Sequence, residues 1–401
     1  MADITTRCCI VGGGPAGIML GYLLARAGID VTVLEKHADF LRDFRGDTVH
    51  PSTMQVLHEL GLLDAFLARP HSEVRKIGVQ IGNELVQAAD FTHLPTRAKF
   101  IAFMPQWDFL DFLAEQAQRF PTFRLLRRTE AQGLIREGDR MVGVTAQGPD
   151  GPLNIRADLV VACDGRHSTV REAAGFGVVE LGAPMDVLWL RLSKQETDPG
   201  QTLGHIDAGR FFIMLDRNDY WQCAFVIPKG GVDQVHARGL DAFRADIVQL
   251  APFLSDRVQE LASWDDVKLL TVAVNRLNTW FRPGLLCIGD AAHAMSPVGG
   301  VGINLALQDA VATANILVPR MTRGEVTLDD LRAVQRRREW PTKMTQRMQV
   351  MIQNRVISSV LRGTETPKPP AFLRLVGRCP LLQRIPARVV GMGFRPEHIR
   401  H

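Results

Sequence analysis

The sequence predicts an α/β chain in which a domain of parallel strands is interleaved with a mainly antiparallel second domain and closed by a C-terminal helical region. Three observations carry that expectation. The N-terminal stretch reads strand, glycine turn, helix, strand. A second glycine-rich turn, set between a short apolar run and a helical run, lies near residue 300. Between the two, several runs alternate at the strand period of two without helical periodicity.

In "RCCIVGGGPAGIMLGYLLARAGIDVTVLEK" the pattern predicts a strand at Cys8–Val11, a helix over about Pro15–Ala27 and a second strand at Asp30–Leu34. Gly12, Gly14 and Gly17 stand at the three glycine positions of a dinucleotide fingerprint. The first permits a tight turn, the second lets backbone approach a pyrophosphate, and the third allows helix to pack closely on strand. Pro15 suits a first helical turn, whose free N–H groups and dipole favour a phosphate. Glu35 closes the second strand, where a carboxylate binds a ribose diol and repels a 2′-phosphate, with Lys36 beside it. The resident nucleotide is therefore FAD or NAD rather than NADP, and the parallel domain is Rossmann-type. No second fingerprint of this kind occurs in the chain.

The later turn chooses between the two. "GLLCIGDAAHAMSPVGGVGINLALQDA" predicts a buried strand at Leu285–Ile288 that ends in Gly289-Asp290. An acid at such a strand end reaches a chain of hydroxyls, such as the ribityl of a flavin. Pro297, Gly299, Gly300 and Gly302 then precede a helix starting near Ile303. A helix N-terminus carries about half an elementary positive charge, which suits the anionic ring of a reduced flavin. Two glycine loops, each following a strand, point to FAD.

"GGGPAG", "ACDGRHSTVR" (Ala162–Arg171) and "GDAAHAMSPVGGVGINLALQDA" together resemble the three ordered motifs of the single-component FAD-dependent aromatic hydroxylases, the para-hydroxybenzoate hydroxylase family. The resemblance implies a Rossmann-type FAD-binding domain interleaved with a mainly antiparallel-sheet substrate domain. It implies bound FAD, NADPH or NADH as transient reductant, and O₂ as co-substrate. Gly12, Gly14, Gly17 and Glu35 match its ADP site. Asp290 matches the acid facing the ribityl, and the stretch 299–304, with Gly300, Gly302 and Asn304, matches the loop near the ring. Asp164, with Gly165 and Arg171, matches the middle motif. Arg45 resembles an arginine near the flavin, and Gln106 a helix-start residue that contacts FAD.

The family's cycle implies reduction of FAD, O₂ addition at flavin C4a as a hydroperoxide, and attack of its distal oxygen on an electron-rich aromatic carbon. Such a site must be dry. Pro297 is placed at the catalytic centre with the glycine loop. Tyr220 is the candidate phenol to polarise a substrate hydroxyl, with His50, His205 and Arg191 as weaker pocket candidates. His293 is read as shaping the strand exit rather than as a base. A halogenase, an isoprenoid reductase of the same fold and a non-catalytic flavoprotein remain as alternatives.

On these anchors the FAD-binding domain is expected to comprise 1–75, 100–180 and 278–345, and the substrate domain 76–99 and 181–277. A helical region follows at 346–401. "KIGVQIG", "DVLWLRLS", "RFFIMLD", "YWQCAFVIP" and "VKLLTVAVN" supply the substrate sheet, with Trp221, Cys223, Phe225 and Ile227 on one face and Tyr220, Gln222 and Ala224 on the other. Helical pattern runs from about Thr327 to Val360, and "TETPKPP" breaks it.

Composition narrows the partners. The 401 residues are 46% hydrophobic and 22% charged with a net charge of +4, ordinary for a globular enzyme and too weakly basic to imply nucleic acid. No apolar run approaches the ~20 residues of a membrane span. The start lacks a signal-peptide core, so a cytoplasmic protein is expected. The scattered cysteines fit no metal spacing and read as reduced, buried thiols. The basic, apolar tail either covers the core with its arginines in solvent, the preferred reading, or touches an anionic membrane or a partner. A homodimer is an open possibility.

Overall fold

The computed structural model describes residues 2–41, 48–199, 203–363, 365 and 367–400. Its longer helices are α1 (Pro15–Arg26), α2 (Pro51–Glu59), α3 (Gln106–Ala117), α4 (Leu240–Leu250), α5 (Gly302–Met321), α6 (Leu328–Ile352), α7 (Ala371–Arg378) and α8 (Pro380–Met392).

An eight-stranded sheet forms the nucleotide-binding layer. Its strand order is Phe281–Arg282, Leu285–Cys287, Gly151–Ala162, Ala2–Val11, Val31–Leu34 and Phe123–Leu126, with an antiparallel pair at Glu130–Glu137 and Arg140–Gly148. From Leu285–Cys287 to Phe123–Leu126 all neighbours are parallel. Parallel strands covered on both faces read as unbroken apolar runs, and Val31–Leu34 is buried at every position. The first strand starts at Ala2, earlier than its apolar run suggests, because it pairs with Leu153–Ala162 along its whole length. α1 and α5 lie against each other over this sheet. By length and composition Val298–Met321 could cross a membrane, yet its most apolar part is 83% buried inside the protein, as expected of a core helix.

The second sheet has seven strands, ordered Lys268–Leu270, Met185–Ser193, Tyr220–Pro228, Arg210–Asp216, Leu203–Asp207, Lys76–Ile81 and Glu84–Asp90. All its pairs are antiparallel except Leu203–Asp207 with Lys76–Ile81. The alternation in "YWQCAFVIP" sorts as expected. Trp221, Cys223, Phe225 and Ile227 pack with Leu188, Phe212 and α4. Ala224 and Val226 lie on the opposite face with Val187, and Val298 of the glycine-rich loop packs against that second cluster. The run "VKLLTVAVN" departs from expectation. Only Lys268–Leu270 joins this sheet, while Asn275–Leu277 pairs with Val178–Glu180 and His293–Ala294 in a separate small sheet. An alternating run cannot reveal that its two halves find different partners.

The helical stretch begins at the Thr327 cap, where a capping box with Asp330 satisfies the first N–H groups. It continues past Ile352 through a π-turn into Ser358–Arg362. Beyond the break the tail forms two short helices rather than one long one. α8 turns Gln383, Ala387 and Gly391 inward and leaves Arg384 and Arg388 in solvent. All six cysteines are free thiols, five of them buried, and burial pushes the thiol of Cys9 up to about 12.

Candidate active site

Strand register gathers the three motifs. Val11 pairs with both Leu34 and Ala162, and Ala162 pairs with Cys287. The parallel strands therefore end level. Gly12–Gly14, Cys163–Gly165 and Ile288–Asp290 leave the sheet side by side at its carboxyl edge, where open α/β sheets bind their ligands.

The three fingerprint glycines separate by what a side chain would meet. A Cβ on Gly12, whose φ is +105°, would stand 2.5 Å from the Cys163 carbonyl oxygen. One on Gly17 would stand 1.9 Å from the Gly12 oxygen, so α1 packs on the turn at a distance only glycine allows. Gly14, the cap of α1, has nothing within 4 Å of a Cβ. That open space faces a helix start with Pro15 in its first turn and no side-chain cap, a ready cradle for pyrophosphate. The buried Glu35 carboxylate accepts from the N–H groups of Gly13 at 3.2 Å and His37 at 2.9 Å, which fixes it beside the turn. Lys36 is exposed next to it.

The second cradle is built from the Gly289 turn and the start of α5. Gly289 has φ +59°, and a Cβ there would press on the methyl groups of Ala16 at 3.2 Å and Ala306 at 3.4 Å. α1, the turn and α5 thus converge on one glycine. The Asp290 carboxylate is 36% exposed and lies 3.9 Å from the Arg166 guanidinium. Gly299 and Gly300 take φ of +80° and +63°. The Gly300 carbonyl accepts from Thr48 Oγ1 at 3.0 Å, and its N–H donates to the Pro297 carbonyl at 3.0 Å. α5 starts at Gly302 without a side-chain cap, so its dipole and first N–H groups point to the loop. Asn304 is buried, and its Oδ1 accepts from Ser52 Oγ at 2.8 Å and Thr53 Oγ1 at 2.7 Å.

Asp164 is turned into its own loop, where its carboxylate accepts from Ser168 Oγ at 2.5 Å and the Val170 N–H at 3.2 Å. Burial raises its pKa above the ordinary aspartate value, and these hydrogen bonds oppose the shift without cancelling it. Arg171 reaches the Ala291 carbonyl at 3.3 Å, tying the middle motif to the Asp290 turn. Gln106 is the first residue of α3, half-buried. Arg45 lies outside the described residues. The Tyr220 ring sits under the Arg191 guanidinium, 3.9 Å from its centroid, on the sheet face that carries Ala224 and Val226.

His50, a weaker pocket candidate in the sequence, and Asp309, Arg338 and Glu397, which motif reading passed over, surround the loop and the Gly289 turn. His50 is fully buried, with Nδ1 2.8 Å from the Val390 carbonyl of α8. Burial lowers its pKa, against the nearby Val390 and Gly300 carbonyls that favour the charged ring. Beneath the Gly289 turn, the fully buried Asp309 accepts from the Gly289 N–H at 3.1 Å and from Arg338 Nε at 2.9 Å, and lies 2.6 Å from His293 Nε2. Burial would raise its pKa, but His293 and Arg338 bring it below the ordinary value. Arg338 in turn meets Glu397 at 3.3 Å, and Arg337 meets the same carboxylate at 2.6 Å. His293 therefore shapes the strand exit, as its place in the loop suggested. The sequence signal for Asp309 was present in "QDA", but nothing in it names Arg338 or Glu397 as partners.

A parallel sheet with a glycine turn at an uncapped helix start, a buried acid and a second uncapped helix at one edge has the donors to hold a flavin nucleotide. The family model described as "FAD binding domain" matches residues 5–348. The chain is 35% identical over 389 residues to 6-methylpretetramide 4-monooxygenase of Streptomyces rimosus, covering 96% of this chain and 92% of that protein. It is 30% identical over 313 residues to rifampicin monooxygenase of Streptomyces venezuelae, covering 75% of this chain and 61% of the relative. The crystal structure of p-nitrophenol 4-monooxygenase PnpA from Pseudomonas putida superposes with a TM-score of 0.77 at 20% identity, over 96% of this chain and 97% of that one, a likeness of fold. The chain belongs to this FAD-binding family and is an FAD-dependent aromatic monooxygenase, with FAD as cofactor and NAD(P)H as reductant.

Proposed function

We propose that the enzyme hydroxylates an extended, electron-rich polycyclic aromatic molecule, bound between the glycine loop and the inner face of the seven-stranded sheet. One observation carries this reading. Val298 of the loop packs against the apolar cluster of Val187, Ala224 and Val226, and Tyr220 lies four residues further along the same strand face. At about 3.3 Å per residue that is roughly 13 Å, a span suited to several fused rings. The identity to a 6-methylpretetramide monooxygenase over nearly the whole chain supports the same class.

Bound FAD, once reduced by NAD(P)H, activates dioxygen for transfer of one oxygen atom to the ring. The chain's part is to hold and to exclude. Gly12, Gly14, Gly17, Glu35 and Lys36 would hold the ADP portion. Asp290 would take the ribityl hydroxyls, with Asp164 shaping the adjacent turn. Gly302 and Asn304 would set backbone donors and the α5 dipole at the ring, with Gly300 shaping the loop before them and Gln106 as a further contact; the Arg45 assignment rests on the sequence resemblance alone. Pro297 would fix the loop at the reacting edge. Tyr220 would orient a substrate hydroxyl. The apolar wall of Val187, Ala224 and Val226 keeps water from the reacting centre.

The division into an FAD-binding domain at 1–75, 100–180 and 278–345 and a substrate domain at 76–99 and 181–277 belongs to this proposal. So do a cytoplasmic location, a homodimer and a peripheral contact of the basic tail with a membrane. The test is anaerobic flavin bleaching by NADPH in stopped flow, with and without fused-ring phenols, single-ring phenols, quinolones and aromatic acids. Acceleration by the fused-ring compounds is the expected result. Acceleration by single-ring ligands alone would overturn the substrate class, and a strict chloride requirement for product would favour a halogenase.

A further inference from the structure

The two tail helices carry a surface that the oxygenation chemistry does not use. Phe372 and Leu375 of α7 are 60% and 59% exposed, and Leu381 and Ile385 of α8 are 64% and 63% exposed. Their placement is systematic. Leu381 and Ile385 lie one turn apart, and about 200° around the helix from them Gln383 and Ala387 are buried. On α7, Gly377 faces inward, where a Cβ would stand 3.0 Å from Val86. Four large apolar side chains thus point outward, while Gln383, Ala387, Val390 and Met392 dock α8 to the protein.

Charge gives the surface its partner. Arg378, Arg384 and Arg388 are exposed among the apolar residues, and no Asp or Glu occurs between Glu365 and Glu397. Arg374 is matched by Glu84 at 2.7 Å, at the turn end of a hairpin whose Leu85 is also 57% exposed. Burial first, then the Arg384 and Lys99 charges, lower the pKa of nearby His93 against the opposing charge of Asp90. A second copy is a poor occupant, because a two-fold contact through this face would set the arginines against themselves. Apolar side chains interspersed with unmatched arginines suit an anionic interface that takes both.

We propose that α7 and α8 form a monotopic docking surface for an anionic lipid bilayer, with Phe372, Leu375, Leu381 and Ile385 entering the acyl boundary and Arg378, Arg384 and Arg388 meeting lipid phosphates. The inference deepens the peripheral contact of the basic tail and rests on that reading. α8 also reaches the site. The Val390 carbonyl meets His50, and a Cβ on Gly391 would stand 3.3 Å from Pro51. The bilayer face is thereby backed directly onto the segment that holds the glycine loop.

The test is co-sedimentation of the holoenzyme with vesicles of phosphatidylcholine containing 30% phosphatidylglycerol, against pure phosphatidylcholine. Binding to the anionic vesicles, loss in 0.5 M salt, and little binding to neutral ones is the expected pattern. Each arginine at an anionic surface contributes about five-fold in partitioning, so Arg384→Gln with Arg388→Gln should weaken binding about 25-fold. Leu381→Gln with Ile385→Gln should weaken it by at least ten-fold. Bound flavin and NADPH consumption of each variant in detergent-free buffer should match the parent, which separates this proposal from the monooxygenase reading. Absence of vesicle binding would overturn it. So would concentration-dependent self-association that the same apolar variants abolish, which would make the face a subunit interface.

Discussion

Asp309→Asn tests whether the buried charge relay supports the cofactor turn. Asp309 has three donors around two oxygens: Arg338 Nε on Oδ1, and the Gly289 N–H and His293 Nε2 on Oδ2. An asparagine keeps the shape but exchanges one oxygen for an NH₂ group. Whichever way the amide turns, its NH₂ faces either the Arg338 donor or the Gly289 N–H. Where it faces Arg338, whose side chain is 2% exposed, the guanidinium keeps the Glu397 carboxylate at 3.3 Å and the Arg395 carbonyl at 3.4 Å. Breaking one partner of a buried ion pair costs about 3–5 kcal/mol, and the surviving Glu397 contact argues for the lower end, about 3 kcal/mol. Because the Gly289 amide anchors the turn that carries Asp290, part of the loss should appear as weaker flavin retention. Urea unfolding of holo- and apoprotein at neutral pH, with flavin release followed by fluorescence, reads both effects. A variant within about 1 kcal/mol of the parent and fully loaded with flavin would refute the argument, and the relay would then be incidental packing.

Two substitutions within one motif should fail differently. Gly14→Val projects into open space, so the protein should fold yet lose FAD, whereas Gly17→Ala drives its Cβ into the Gly12 carbonyl and should destabilise the fold itself; a Gly14→Val holoprotein with a normal flavin spectrum would contradict the cradle. Asp290→Ala should leave apoprotein stability nearly unchanged, since its carboxylate only approaches Arg166 at 3.9 Å, while FAD affinity falls by ten-fold or more for the loss of a charged hydrogen bond; undiminished occupancy after dialysis would sink the assignment. Asp198 offers a pH prediction. Burial opposes ionisation there, but hydrogen bonds from Arg257, the Gln195 N–H and Trp221 pull its pKa to about 2 from 3.8. A depressed folded pKa stabilises above the unfolded value and loses that contribution as pH falls. About 2 kcal/mol should therefore disappear between about pH 4 and pH 2, and Asp198→Asn should flatten that part of the acid unfolding curve.

Local chemistry made much of this protein legible from its sequence. The Gly12, Gly14 and Gly17 spacing, the acid at Glu35, and the Gly289-Asp290 and Pro297–Gly302 turns each follow from what a backbone can do over a few residues, and the alternation in "YWQCAFVIP" follows from the pleat of a strand. They determined the α/β class, the mainly antiparallel second sheet and the FAD chemistry. Other features required contacts between residues far apart in the chain. The level ends of Val11, Ala162 and Cys287 come from strand register, which no single segment encodes, and only that register sets three motifs on one rim. Likewise Arg338 became the partner of Asp309, and Glu397 the partner of Arg338, because α6 and the tail close over α5, and the outward face of Leu381 and Ile385 emerged only once Gln383 and Ala387 were docked. Motif spacing records what a turn can hold; the packing of distant segments decides which turns meet and which side chains remain outside.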